Sequence, residues 1–122
     1  MVPVSGEPVE KEPVAGSFIS EEAPLQLRVG HLLRIESYLD YATLSMWTGR
    51  RAEVVMGMAE ASVRGTGPGG ENSPDEELLV VLRALIREAR EYHASGDFPA
   101  AMARMRVASD LVSLHLVRLA GQ

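Results

Sequence analysis

Arg87 and His93 stand with five residues between them in "LIREAREYHASGDF". A histidine there can move a proton and an arginine can hold a phosphate. Arg83, Arg87 and Arg90 follow at i, i+4 and i+7 and so form one stripe if the segment is helical. Such a stripe can be a solvated face, or can hold an acidic peptide or a carboxylate terminus. These three are the candidate binding residues, and the chain's own acidic N-terminal segment is a candidate occupant. The remaining histidines, His31 and His115, offer less. Di-iron helices use Glu-x-x-His pairs, whereas Arg28, Arg90 and Val112 precede the three histidines here. Asp97 lies four residues after His93, but Ser95-Gly96 should break the helix between them, which leaves a local His93–Asp97 contact at the turn or, more simply, a capping role for Asp97. With no cysteine, thiolate metal sites, disulfides and Cys nucleophiles are excluded. "GTGPGG" lacks the Gly-Lys-Ser/Thr ending of a phosphate loop. No catalytic residue, metal site or cofactor is assigned.

Helices must position these residues. The first should start at Ser20 as N-cap, with Glu21 and Glu22 favoured by the helix dipole and Pro24 in its first turn. Leu25, Leu32, Ile35, Leu39, Ala42 and Met46 recur at helical steps, widened by Leu33, Leu44 and Trp47. One long bent helix or two consecutive helices both fit the pattern through Gly49, with a continuous or mildly broken helix ending near Arg64 favoured. "GTGPGGENSPDEE" reads as a loop ending in a helix start, with Ser73 as cap, Pro74 at the first helical position and Glu76 completing a capping box. Leu78, Leu82, Leu85, Ala89 and Tyr92 form the next seam. After Gly96, Asp97 caps a last helix whose seam is Phe98, Ala101, Met105, Ala108, Val112, His115 and Leu119. On that seam His115 reads as a hydrogen-bonded histidine at the core edge. The fold class is all-α: a small antiparallel bundle of three to four helices over residues 20–122.

Composition agrees with one domain. Aromatics are 5% of 122 residues, so the core must be built from Leu, Val, Ala and Met. Five glutamates against Lys11 give residues 1–24 a net charge of −4, which leaves −1 of the total −5 for the rest. Residues 1–19, with Pro-Val at 3–4, 8–9 and 13–14, read as a disordered, extended Pro/Glu-rich arm. A nearly neutral body does not attract nucleic acid. No apolar run reaches the roughly 18 residues of a membrane span, so a cytoplasmic protein without membrane or nucleic-acid partners is expected.

Ala89, Tyr92, Gly96, Phe98, Ala101, Met105 and Ala108 resemble, over residues 82–113, one tetratricopeptide (TPR) unit, in which small residues let two helices approach and aromatics fill the space beside them. Glu88 and Ser113 depart from that pattern, and no second copy lies upstream. The resemblance implies a TPR-like C-terminal hairpin and a protein partner such as a helical-repeat protein. Size and layout are also similar to small helical proteins that accompany TPR-containing, caspase-like peptidases in bacterial conflict systems. The Arg87–His93 spacing resembles the motif of HEPN-type ribonucleases and implies, as the alternative, an RNA-cleaving or toxin-system component. The leading expectation is a non-enzymatic interaction module, an adaptor or accessory subunit. Surplus apolar residues on the first helix point to a homodimer or a docked partner helix.

Overall fold

Local signals fix where each helix begins and ends. The computed structural model describes residues 24–121; the arm expected over 1–19 and the cap expected at Ser20 lie outside the described residues. Four helices follow: α1 (Leu25–Thr48), α2 (Ala52–Ser62), α3 (Pro74–Ala94) and α4 (Phe98–Ala120), with no strand among the described residues. Pro24 is the N-cap of α1, at φ −56° and ψ 143°, rather than a residue of its first turn. Its extended ψ keeps it ahead of the helix while its carbonyl accepts from the amides of Leu27 and Arg28.

The continuous helix expected to Arg64 is instead a hairpin. Gly49 (φ 72°) and Arg51 (φ 56°) both take left-handed backbone, which reverses the chain and lays α2 back along α1. Glycine adopts that conformation without steric cost, whereas arginine does so less readily. At the start of α3 the Glu76 amide donates to Ser73 Oγ at 3.2 Å, as a cap requires. The reciprocal half of the capping box is missing, because the Glu76 carboxylate turns to Arg83 at 3.2 Å. The α3–α4 turn closes with Gly96 at φ 87°, the Asp97 amide on the Tyr92 carbonyl (2.8 Å) and the Gly96 amide on the His93 carbonyl (3.1 Å). This is a Schellman end that glycine permits. Asp97 Oδ1 then accepts from the Ala100 amide, and Pro99 fills the first turn of α4.

The helices pack in a ring, α1 on α2, α2 on α3, α3 on α4 and α4 back on α1. Each sends one seam inward: Leu32, Ile35, Leu39, Ala42 and Met46 from α1; Val55, Met56 and Ala59 from α2; Leu78, Leu82, Ile86 and Ala89 from α3; Ala101, Met105, Ala108, Val112 and Leu119 from α4. Leu79 and Ile86, not anticipated in the α3 seam, are fully buried. The α1 face divides: Leu32, Leu39 and Met46 are core, while Leu33, Leu44 and Trp47 are exposed.

Candidate functional site

The arginine stripe lies along α3 where α2 packs against it. Arg83 Nη1 donates to the carbonyls of Val63 (2.7 Å) and Gly65 (3.1 Å), and Nη2 to Glu76 (3.2 Å). A cation on the carbonyls of the α2 C-cap and just beyond it meets the negative end of that helix. Arg90 holds Glu60 at 2.6 Å and Glu53 at 3.1 Å on α2, and those hydrogen bonds raise its already high pKa. Arg87 is exposed at a shallow depression it shares with Glu53, Glu60 and Glu91. Two of the three candidate binding residues thus clasp α2, and the third stands among carboxylates. Arg83→Met keeps the aliphatic stem but loses the carbonyl contacts. It should cost about 1–2 kcal/mol in urea unfolding, whereas Arg87→Met should change stability by less than about 0.5 kcal/mol.

His93 sits beside the same acids, its Nδ1 3.7 Å from Glu53 Oε2. Asp97 is engaged as the α4 cap, the simpler of its two readings.

A polar centre that the sequence did not announce closes one end of the bundle. Asp75, in the first turn of α3, is 1% exposed. Its two carboxylate oxygens accept from Arg28 Nε and Nη2 of α1, both at 2.9 Å, and Oδ1 also pairs with His115 Nε2 of α4 at 2.8 Å. Burial pushes the Asp75 carboxyl up. The hydrogen bonds from Arg28 and His115, with the charges behind them, outweigh burial and hold it below the usual carboxylate range. His31 of α1 lies near this centre. Its Nδ1 is buried without a hydrogen-bond partner among the described residues, under Gly67, where an added Cβ would come within 3.1 Å of it. Burial and then Arg34 lower the His31 pKa against the opposing pull of Asp75. The expectation for His115 as a hydrogen-bonded core-edge residue agrees with this geometry. Both carboxylate oxygens of Asp75 are satisfied internally, which marks the centre as a structural tie.

A further concavity lies elsewhere. A groove of about 730 Å³ runs between the outer faces of α1 and α4. Leu44, Trp47, Phe98, Pro99 and Met102 line one end, and Asp40, Arg106 and Asp110 line the other. Trp47 is 68% exposed and meets Phe98 edge-on, with ring centroids 5.5 Å apart. Glu36 of α1 accepts from Ser113 of α4 at 2.6 Å. Those two contacts show the helices running antiparallel. The sequence signal for this site was the surplus of Leu33, Leu44 and Trp47; the α4 wall gave none, because its outer positions are mixed in polarity.

No group of three or more His, Cys, Asp or Glu among the described residues is arranged to hold a metal ion, and no helix there is long and apolar enough to cross a membrane. No protein-family model, curated protein or solved structure matches the chain.

Proposed function

We propose that the protein is a non-enzymatic protein–protein interaction module whose docking face is the α1–α4 groove. One observation carries this reading: Leu44 and Trp47 remain 58% and 68% exposed beside Phe98, Pro99 and Met102 in a concave site. Contiguous apolar surface of that kind exacts a solvation cost in the free chain that a partner relieves, and exposed aromatics in a pocket are the usual anchors of interfaces. The RNA-cleaving alternative has less support, since Arg87 shares its depression with Glu53, Glu60 and Glu91 and His93 lies beside Glu53, carboxylates that disfavour a phosphate there.

The test places p-benzoylphenylalanine at Leu44, and at Glu77 as a control, in the chain expressed in its host. Irradiation should yield polypeptide adducts from position 44 alone, and Trp47→Glu should abolish them. Equal labelling from both positions, or none from either, would overturn the reading. So would cleavage of mixed RNA by wild type that His93→Ala abolishes.

A further inference from the structure

α1 carries two seams, and only one faces the core. The second, Leu33, Ser37, Asp40, Leu44 and Trp47, alternates steps of four and three residues. On α4, Pro99, Ala103, Arg106, Asp110, Ser113 and Val117 repeat the same alternation outside the core seam. Such spacing is that of a helix meeting a second helix along its length. Both seams are apolar at their ends and charged in the middle. Leu33, Leu44, Trp47 and Val117 are 49% exposed or more, and the groove between the seams holds Asp40, Arg106 and Asp110. These three charged groups form no ion pair among the described residues. Burial and then Glu36 push the Asp40 carboxyl up, as expected of a partly desolvated acid with no cation facing it.

The antiparallel register places complementary groups level with each other. Trp47 stands level with Phe98, and Asp40 shares the groove with Arg106 and Asp110. Leu33 is one heptad before Asp40, and Val117 one heptad after Asp110. Two copies can lay this face on itself about a two-fold axis in two ways. With the axis across the helices, α1 lies on α1 of the second copy, Asp40 meets Asp40 and Arg106 meets Arg106. With the axis along the helices, each α1 lies on α4 of the other copy. Trp47 then covers Pro99 and Met102, Leu33 meets Val117, and Asp40 faces Arg106. Both arrangements bring apolar ends to apolar ends, and the second also sets Asp40 opposite Arg106. The central charges then set the register, as polar residues in a helical seam do. The body beyond residue 24 has a net charge of only −1, so its two copies repel little.

We propose that the occupant of the groove is a second copy of this chain, paired through an isologous interface with its two-fold axis parallel to α1 and α4. The inference rests on the interaction reading above and specifies the partner.

Sedimentation of the full chain at increasing micromolar concentrations should give a dimer. Trp47→Glu should weaken it by about 30-fold or more, the loss expected of an interfacial aromatic anchor. Asp40→Arg and Arg106→Asp should each weaken it, and the double variant should restore it, an outcome that structural damage does not produce. The axis runs along the groove floor, past Ser109. In this cysteine-free chain Ser109→Cys should therefore be joined to its counterpart by a short bis-maleimide, and Glu77→Cys on α3 should not. Circular dichroism melts of each variant, taken where the protein is monomeric, separate lost pairing from lost fold.

A wild type that stays monomeric overturns the proposal, as does a dimer indifferent to Trp47→Glu or to the charge exchange. A monomer that dimerises only after deletion of residues 1–23 also overturns it, because the chain's own N-terminal segment is then the occupant. If the wild type is monomeric while position 44 photolabels a different polypeptide, self-pairing fails and the interaction reading stands. If position 44 labels nothing, both fail.

Discussion

Asp75→Ala should lower the stability of the bundle by about 3–5 kcal/mol, the cost of removing one partner from a buried ion pair. In a domain of this size each kcal/mol moves the midpoint by about 4–8 °C, so the loss amounts to more than about 10 °C in a thermal melt. The size follows from what is left behind. Arg28 loses both bonds of a bidentate pair and His115 loses its Nε2 partner, all in a site where Asp75 is 1% exposed. Asp75→Asn keeps the volume but removes the charge that faces Arg28, and it should fall between wild type and Ala. The pH dependence has a definite sign. The folded carboxyl titrates below its unfolded value, so the native state binds its proton less readily than the unfolded chain does. Its contribution is complete well above the unfolded pKa of about 3.9, begins to fade below about pH 5 and is lost as the pH drops through the folded value. The gap between wild type and Asp75→Asn in urea melts should therefore narrow with acid. A gap that widened as the pH fell from 5 would contradict the assignment.

Ala101→Leu and Ala108→Leu should each destabilise by about 1–3 kcal/mol through overpacking. Both alanines are fully buried on α4, as is Ala89 on α3, and these two helices share the most extensive helix contact in the molecule. A leucine at either fully buried position must push α4 outward or leave its rotamer. The same substitution at exposed Ala103 should change stability by less than about 0.5 kcal/mol, which makes it the internal control for propensity. Midpoints for Ala101→Leu and Ala108→Leu equal to that of the Ala103→Leu control would mean that the α3–α4 approach is not tight.

Those alanines were legible in the sequence because a hairpin is local. Ser73, Asp97 and Gly96 act on residues within five positions of themselves, so their types and spacing suffice to locate three helix ends. The break after Thr48 was read as mild because Gly49 alone costs only about 1 kcal/mol in a helix. What turns the chain is the second left-handed residue, Arg51, whose side-chain type gives no such signal. Asp75 looked like an ordinary acid at a helix N-terminus. Its partners lie 47 and 40 residues away, and only the ring of helices brings Arg28 and His115 to it. The groove fell between these cases. Its α1 wall showed as excess leucine and tryptophan, while Asp40, Arg106 and Asp110 interrupt the apolar pattern at the positions that would complete it.

The ring closes between the first and last helices, and this bears on how the chain is made. During synthesis α1, α2 and α3 emerge ahead of the helix that covers their shared seam. Asp75 can meet Arg28 early, but His115 and the contacts of Val112 and Leu119 arrive only when α4 has left the ribosome. Until then Leu32, Ile35 and Leu39 lack their α4 cover. The nascent chain thus carries an open apolar cleft between the emergence of α3 and the docking of α4, a binding surface for a chaperone at the tunnel mouth that disappears once α4 is in place.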